Sequence, residues 1–411
     1  MQRILVPLRT LFRHREFLVL MTGCATLGLC GSFVAPFISM FGTIEVGMNP
    51  AVFGVFMTVT ALGSILIATW LSHRSDTRHS RREMLLLGAT GGALGYAGYA
   101  FVRDALLLVI IGSTLLGVAS ILFGQMFAHA RESLARSRVP ADQVPLYMNM
   151  FRMGFTLAWT GGPALAAWTL QEYSYRGLFI VAALLQVLFL LIIAGFVPDT
   201  LPGGGGATRP PVPLRDQLRL PGVAAWFAAF VLVFTAGTMA MMNMSLLVLH
   251  VLGGRESQVG IIFSLAPIFE VPFMLYFGLL ATTVDQTRLI RAAVIIAIVY
   301  YGSLSLVRAP WQIYPLQILS AAIVSVTTGV AITFFQDMLP GQPGAATNVY
   351  VNAMRIGNTA GYLAFGSIAA SLGYRAVFVA CALLCAAALV LMYLQRARAA
   401  VLAGGAPAAV G

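Results

Sequence analysis

An Asn-x-x-Arg-x-Gly pattern occurs twice in the sequence, each time inside a long apolar segment. The first copy carries Asn149 and Arg152, and the second, 203 positions later in a chain of 411 residues, carries Asn352 and Arg355. Residues three apart share one face of a helix. Asparagine supplies donors and acceptors and arginine supplies donors, a combination that suits hydroxyl-rich solutes and anions. Because an arginine inside a membrane-spanning helix usually faces a protein interior or a water-filled cavity, the duplication predicts a membrane transporter with a polar centre.

Glu270 is the one acidic residue that the sequence places near the middle of an apolar segment, and Pro267 and Pro272 flank it. A helix interrupted by prolines is softened around the carboxylate. A carboxylate whose surroundings change between two conformations can load a proton in one and release it in the other. We therefore predict that Glu270 is the proton-coupling residue; a static ion pair that holds two helical bundles in register is the alternative.

Other side chains in apolar segments are candidates for contacts with a solute. Four of them offer hydrogen bonds: Gln125, Asn243, Gln336 and Asn358. Trp159 lies seven residues after Arg152, two helical turns along the same face, where its ring can stack on a solute such as a sugar. Each polar residue of this set can instead join two helices, a contact worth roughly 0.6–2 kcal/mol.

The composition separates this chain from soluble proteins. Hydrophobic residues make up 59% of it and charged residues 9%, whereas soluble domains average about 25% charged residues. All 25 basic residues are arginines, spread over short segments instead of gathered on one face. This distribution argues against nucleic acid as a partner and favours the orientation of helices in a bilayer. The four cysteines show neither metal-ligand spacing nor a disulfide framework, so we expect small core residues and no metal site; they are Cys24, Cys30, Cys381 and Cys385.

Charged and turn residues divide the chain into twelve apolar segments, each near the roughly 20 residues that a membrane-crossing helix needs. They fall near 17–42, 51–72, 83–101, 105–130, 143–170, 176–197, 223–251, 256–281, 288–307, 311–338, 342–371 and 375–396. A stretch rich in glycine and proline between the sixth and seventh segments predicts a flexible linker. We therefore predict an N-terminal six-helix bundle (1–197), a linker (198–222) and a C-terminal six-helix bundle (223–411).

The arginines also predict the orientation of these segments. Eighteen arginines lie at the termini, in the linker or after even-numbered segments, and five lie after odd-numbered segments. Because cytoplasmic loops carry the excess of basic residues, we expect both termini and the linker to be cytoplasmic.

Charged residues near the predicted cytoplasmic ends are candidates for gating. Asp76, followed by Arg81 and Arg82 after the second segment, resembles the cytoplasmic loop signature of the major facilitator superfamily, an acidic residue followed by a basic pair. That signature implies a latch between helices, and a plain basic loop is the alternative. At the ends of segments four and ten we predict further gate charges, with ordinary interfacial placement as the alternative: Arg131, Glu132 and Asp337.

Several runs together resemble the bacterial sugar efflux transporter family of that superfamily. They are 125–132, 157–163 with its Gly-Pro step, 270–272, 335–341 and 344–347, and the likeness extends over most of the chain. The segment 158–167 is also similar to the antiporter motif of major facilitator exporters. The resemblance implies an all-α membrane protein with twelve transmembrane helices in the major facilitator fold, built as two pseudo-symmetric six-helix bundles.

The same resemblance implies the export of small sugars or sugar analogues by proton antiport and alternating access. It implies that helices 5 and 8 pack together, which would bring Arg152, or failing it Arg355, within reach of Glu270. We expect a monomer in the bacterial inner membrane that uses the proton gradient and no cofactor. The alternatives are a multidrug or organic-anion exporter of the same fold and, more remotely, a membrane-embedded enzyme or sensor.

Overall fold

A computed structural model describes residues 15–78, 80–137, 139, 143–199, 214–220, 222–339 and 343–404. Every regular element in these ranges is helical. Several of the helices contain a π-helical turn, at which the helix continues after one wider turn.

The first half of the chain forms helices α1 to α6. Their bounds are α1, Arg15–Val34, continued by Ile38–Met40 and the π-turn Phe41–Glu45; α2, Pro50–Arg78; α3, Arg81–Phe101; α4, Ala105–Ile111, continued by the π-turn Gly112–Leu116, Gly117–Ala119 and Leu122–Arg136; and α5 and α6, which together form the run Val144–Phe196. That run is interrupted at Ser174, so α5 comprises 144–173 and α6 comprises 175–196.

The second half forms α7 to α12 in the same order. Their bounds are α7, Val223–Leu246, with the π-turn Leu247–Val251; α8, Glu256–Leu280; α9, Gln286–Leu306; α10, Ile313–Ser325, continued by the π-turn Val326–Val330 and Ala331–Met338; and α11 and α12, which share the run Pro343–Gly404. Gly373 interrupts this run, which gives α11 as 343–372 and α12 as 374–404. A short helix, Leu214–Leu218, occupies part of the predicted linker, and its Gln217 is buried.

Ten continuous runs are apolar and long enough to cross a membrane in the described part of the chain. Two of them, Met150–Phe196 with 47 residues and Gly344–Gln395 with 52 residues, are about twice as long as the roughly 20 residues that one crossing needs. Each contains an interruption near its middle, so the ten runs correspond to twelve membrane-spanning helices. The predicted all-α fold with twelve transmembrane helices is confirmed.

The two interruptions have the same backbone geometry but different residues. Ser174 has φ 57° and ψ −173°, and Gly373 has φ 81° and ψ 171°. Glycine adopts this region without a steric penalty, whereas a residue with a Cβ is strained there. The chain therefore reverses at one residue in each half, and the first half carries the strain.

The structure extends several helices beyond their predicted ends, and the end of α2 changes the setting of a predicted gating residue. Residues 72–78 were expected in a loop after the second segment, but they continue α2 to Arg78. Neither glycine nor proline occurs between 72 and 78, so no residue in this stretch ends the helix. Asp76 therefore lies on a helix, and its side chain lies outside the described residues.

The chain separates into two compact units. The first holds residues 1–49, 55–207 and 254–268, and the second holds 50–54, 208–253 and 269–411. The predicted bundle boundaries at 197 and 223 stay a prediction.

The core of the first unit lies among α1, α3, α4, α5 and α6. Fully buried Phe17 on α1 contacts the rings of Tyr147 and Phe151 on α5, with centroid distances of 5.8 Å for both pairs. Glycines let α1 and α5 approach further along. A Cβ at Gly28 would lie 2.7 Å from the Phe155 carbonyl oxygen, which is closer than folded proteins tolerate. Gly28 on α1 thus allows α1 and α5 to pack closely in this unit.

In the second unit, glycines allow α11 to lie directly against α7. A Cβ at Gly357 would lie 2.6 Å from Phe234 Cβ, and a Cβ at Gly361 would lie 2.9 Å from the Thr235 carbonyl oxygen. All four cysteines are buried and free, as the sequence predicts for small core residues.

Candidate functional site

Polar residues at the N-terminal end of α3 and in the C-terminal part of α4 form a network in the first unit. Arg81 Nε lies 3.2 Å from Glu132 Oε1, and Arg81 Nη1 donates to Gln125 Oε1 at 3.0 Å. Two predicted gating residues therefore form an ion pair. Gln125, predicted to bind the solute, directs its side-chain oxygen to that pair, so its placement supports a structural role at the helix ends.

The remaining gating candidates lie near helix ends without forming one cluster. Arg82 Nη2 donates to the Ala194 carbonyl oxygen of α6 at 2.7 Å. Asp337 on α10 accepts a hydrogen bond from Gln286 Nε2 on α9 at 2.9 Å, and Arg131 is exposed. Their role in gating stays a prediction.

A polar stripe runs along one face of α11. It comprises Asn348, Asn352, Arg355 and Thr359 at helical spacing. Arg355 is exposed and Asn352 is half-buried. Asn352 Nδ2 donates to the Asn348 carbonyl oxygen at 2.9 Å, and Thr359 Oγ1 donates to the Arg355 carbonyl oxygen at 2.9 Å. These bonds within the helix hold the flanking side chains close to the backbone, while Arg355 extends from the stripe.

Three other candidates of the second unit make contacts between helices. Asn358 Oδ1 accepts a hydrogen bond from Thr238 Oγ1 of α7 at 2.9 Å. Fully buried Asn243 donates through Nδ2 to the Tyr374 carbonyl oxygen at 2.8 Å, next to the α11–α12 interruption. Gln336 Nε2 donates to Thr347 Oγ1 at 3.3 Å. These contacts favour the interhelical alternative for the three side chains.

Arg152 and Trp159 lie on α5, where both are half-buried. The Arg152 carbonyl oxygen accepts a hydrogen bond from Thr156 Oγ1 at 3.5 Å. The Trp159 indole nitrogen is buried and has no hydrogen-bond partner among the residues that the structure describes. The side chain of Asn149 lies outside the described residues.

Glu270 is half-buried on α8. Its carbonyl oxygen accepts a hydrogen bond from Ser325 Oγ of α10 at 3.2 Å, which fixes the backbone of α8 between Pro267 and Pro272. The predicted pairing of Glu270 with Arg152 or Arg355 stays a prediction.

A partly open cavity of about 440 Å³ lies among the helices of the first unit. Helices α1, α3, α4, α5 and α6 line it through residues that include Cys30, Tyr96, Ser120, Phe123, Phe155 and Gln186. Gln186 Nε2 donates to Cys30 Sγ at 3.5 Å, and the thiol donates to the Ala182 carbonyl oxygen at 3.5 Å. The other amide atom, Gln186 Oε1, is buried and has no partner within the described ranges.

Sequence reasoning missed this cavity. Gln186 is a single amide in an otherwise apolar segment, and Cys30 was assigned to the core on its size alone. A signal was present, because an amide among aliphatic residues must find partners when it is buried. The sequence does not show which helices would supply them.

The described part of the chain contains no group of three or more histidine, cysteine, aspartate or glutamate residues that could hold a metal ion.

Comparisons with known proteins agree with this architecture. The model of the Major Facilitator Superfamily matches residues 20–350 and 226–408. In solved structures, a mutant form of the nucleoside transporter NupG superposes with a TM-score of 0.75 at 13% identity, over 92% of this chain and 99% of that one. At that identity the likeness shows the fold alone.

Curated relatives match over nearly the whole chain. A protein of Deinococcus radiodurans is 34% identical over 88% of this chain and 93% of its own length. Sugar efflux transporter A of Escherichia coli (strain K12) is 30% identical over 89% of this chain and 92% of its own length. The multidrug resistance protein MdtG of Dickeya zeae is 22% identical over 89% of this chain and 90% of its own length. The chain is a multi-pass membrane transporter, not an enzyme, and belongs to the sugar efflux transporter family of the major facilitator superfamily.

Proposed function

We propose that the protein exports small sugars or sugar analogues in exchange for protons, by alternating access between two helical bundles. One observation carries the proposal: a relative named sugar efflux transporter A aligns with 89% of this chain, a share that takes in both halves. Such coverage extends the likeness beyond a shared fold to most of the helices that would line a substrate path.

The polar stripe on α11 supports a path for a hydroxylated solute. Arginine at the centre of a bilayer costs at least about 2.5–3.5 kcal/mol when it faces lipid. Arg355 is exposed on that stripe, and the opposite face of α11 packs on α7 through Gly357 and Gly361. We therefore assign the stripe to an aqueous path, in which Arg355 and Asn352 bind solute hydroxyl groups.

Glu270 is the proposed proton carrier. Its place between two prolines on α8 and its partial burial suit a carboxylate whose surroundings change as the helix moves. Arg152 or Arg355 would stabilise the charged form in the state that releases the proton.

The bacterial relatives support a location in the bacterial inner membrane. The arginine distribution supports an orientation with both termini and the linker in the cytoplasm. In this orientation the Arg81–Glu132 pair lies at the cytoplasmic ends of α3 and α4, where it latches one conformation.

Proteoliposomes test the proposal. The measurements are counterflow of labelled sugars at equal pH, and accumulation driven by an acidic lumen. The native protein is expected to do both. Glu270→Gln is expected to retain counterflow and to lose accumulation driven by the pH gradient, because exchange at equal pH requires no net proton transfer.

Glu256→Gln, at the first position of the same helix, is the matched control and is expected to keep both activities. If the native protein shows no sugar flux, the proposal is wrong. If Glu270→Gln accumulates sugar as the native protein does, Glu270 is not the proton carrier.

A multidrug exporter is the second candidate, because MdtG aligns with 89% of this chain, although at 22% identity. Competition decides between the two. Lipophilic cations should inhibit counterflow strongly in a multidrug exporter, whereas neutral sugars should inhibit it in a sugar exporter.

A further inference from the structure

The π-turn of α10 is the starting point, because its backbone is hydrogen-bonded differently from an α-helix. In an α-helix the Ala331 N–H group would donate to the Thr327 carbonyl oxygen, four residues earlier. In the π-turn Val326–Val330 it donates instead to the Val326 carbonyl oxygen. Single π-turns inside α-helices are frequent at functional sites. The Thr327 carbonyl oxygen is thereby released from its α-helical donor.

A side chain of α11 bonds to this oxygen. Tyr350 Oη donates to the Thr327 carbonyl oxygen at 3.0 Å, and Tyr350 is only 4% exposed. The Tyr350 ring packs edge-on against Phe234 of α7, with centroids 5.5 Å apart, so the ring is held independently of its hydroxyl group. The hydroxyl therefore stabilises the π-turn over the α-helical register, in which Ala331 N–H would compete for the same oxygen.

The other end of the π-turn is bonded to α8. Ser325 immediately precedes the π-turn and is 1% exposed, and its Oγ donates to the Glu270 carbonyl oxygen at 3.2 Å. Residues 268–280 of α8 are all exposed or half-buried, so packing holds this part of the helix weakly. The hydrogen bond from Ser325 is therefore a specific link between α10 and the backbone that carries Glu270.

The π-turn thus connects the helix of the proposed proton carrier with the helix of the polar stripe. All residues of this link belong to the second unit. Residues 315–336 of α10 contain no titratable side chain, and Arg355 is the single charged residue of α11. Glu270 is therefore the carboxylate whose protonation can act on the link. A shift of helix register, which occurs in microseconds to milliseconds, is a two-state change that both sites can bias.

We propose that the π-turn of α10 couples proton binding at Glu270 to sugar binding at the α11 stripe, with Ser325 and Tyr350 as the positioning residues that connect it to the two helices. Protonation of Glu270 changes the position of α8, and Ser325 passes this change to the π-turn. A return of Ala331 N–H to the Thr327 carbonyl oxygen then releases Tyr350, and with it α11. The coupling rests on the proposed function in that Glu270 carries the proton and the stripe binds the sugar. It adds the element through which one site senses the other.

Variants of the full-length protein remove the two hydrogen bonds singly and together. Tyr350→Phe removes the hydroxyl and keeps the ring, and Ser325→Ala removes the Oγ donor at nearly the same size. Tyr301→Phe, at a buried tyrosine on α9, is the control for the first change. Ser305→Ala, at a serine whose Oγ donates to Gly302 within its own helix, is the control for the second.

The first readout is equilibrium binding of labelled glucose, galactose and xylose to protein in nanodiscs at acid and at neutral pH. Coupled sites typically change each other's affinity about 5- to 150-fold, so the native Kd should be higher at acid pH by a factor in that range. Tyr350→Phe and Ser325→Ala should each reduce this factor about threefold to tenfold, the effect of losing one hydrogen bond. The double variant should reduce it no further than the stronger single variant, because both bonds act through one π-turn. Both controls should keep the native factor.

The second readout needs no sugar. Asn348→Cys, at an exposed position of the stripe, carries an environment-sensitive fluorophore, while the four native cysteines are buried. Its emission should change with pH in the native background, and the change should be lost in Tyr350→Phe and in Glu270→Gln. Both readouts are taken below the unfolding midpoint of each variant, so that a loss of folding is not counted as a loss of coupling.

The outcomes distinguish the coupling from the proposed function. If the native protein binds and transports a sugar but Tyr350→Phe and Ser325→Ala keep the native pH dependence in both readouts, the coupling is wrong and the proposed function stands. If the fluorophore reports a pH change that requires Tyr350 and Glu270 but no sugar flux occurs, the link from Glu270 to α11 stands and the transport proposal is wrong. If neither the sugar affinity nor the emission of the native protein depends on pH, the coupling is overturned. An equal loss of pH dependence in Tyr301→Phe or Ser305→Ala also overturns it.

Discussion

Replacing Gly357 by alanine should destabilise the protein, whereas the same change at Gly154 should be tolerated or slightly stabilising. The two glycines hold the same place in the repeated Asn-x-x-Arg-x-Gly pattern, but their surroundings differ. A Cβ at Gly357 would lie 2.6 Å from Phe234 Cβ, 2.8 Å from the Val231 carbonyl oxygen and 3.1 Å from the Thr235 nitrogen. A Cβ at Gly154 would meet only the Met21 carbonyl oxygen, at 3.8 Å.

The expected magnitude follows from two opposing effects. Overpacking typically costs about 1–3 kcal/mol, and the upper end applies at Gly357 because two of the three neighbouring atoms belong to the α7 backbone and cannot rotate away. Alanine in place of glycine in a helix contributes about 0.8–1.0 kcal/mol in its favour. We expect a net loss of about 2 kcal/mol at Gly357 and a gain of up to about 1 kcal/mol at Gly154.

The four buried cysteines provide the assay, because a thiol-reactive fluorophore labels them only as the protein unfolds. Heating the purified protein in detergent with this fluorophore should give a lower unfolding midpoint for Gly357→Ala and an equal or higher midpoint for Gly154→Ala. Two results would contradict the reasoning: an unfolding midpoint of Gly357→Ala equal to or above that of the native protein, or equal downward shifts for both variants. In either case α7 and α11 do not approach each other as closely as the structure indicates.

Three further predictions concern stability. Ser174→Gly should raise the unfolding midpoint, because serine at φ 57° carries strain of roughly 1–3 kcal/mol that glycine removes. Gly373→Ala should lower the midpoint, because it places a Cβ at a residue with positive φ. Midpoints that do not move in opposite directions contradict this. Asp285→Ala removes the cap of α9 and should cost about 1 kcal/mol. Hydrogen bonds from Thr287 and Arg288 hold the pKa of Asp285 below its ordinary value. The part of the native advantage that depends on the carboxylate charge should therefore be full above that ordinary value and be lost as the pH falls through the lowered one. A native advantage that does not shrink toward acid pH contradicts this role of the carboxylate. For Arg81→Ala and Glu132→Ala, a double-mutant cycle should give a coupling of about 0.5–1 kcal/mol, since the pair is partly exposed; additive effects exclude an energetic link.

The number and order of the helices were predictable from the sequence because hydrophobic length alone identifies a membrane span. Even the two short interruptions were placed within a few residues, since Ser174 and Gly373 fall in the gaps that charged and turn residues marked. The end of α2 was predicted too early, because a polar sequence that contains no helix-breaking residue can extend a helix beyond the membrane.

The partners of isolated polar residues were not predictable. Gln125 and Gln186 look alike in the sequence, each a single amide in an apolar segment. The structure gives the oxygen of Gln125 an arginine donor from α3 and leaves the oxygen of Gln186 buried without a partner among the described residues. The two amides differ because different side chains reach them, and these side chains come from helices tens of residues away in the sequence. The local sequence pattern does not show which distant side chains these are.

The repeated pattern produces two different environments because different residues fix the two helices. On α11, Gly357 faces α7, and Arg355, two positions earlier, must project about 200° away because each residue turns the helix by about 100°. This rotation accounts for the exposure of Arg355. On α5, the loosely packed Gly154 fixes nothing; instead Phe151, fully buried against Phe17 and Phe127, sets the rotation and leaves the adjacent Arg152 half-buried. Two arginines that the sequence presents as equivalent thus differ in exposure, Arg355 being exposed and Arg152 half-buried.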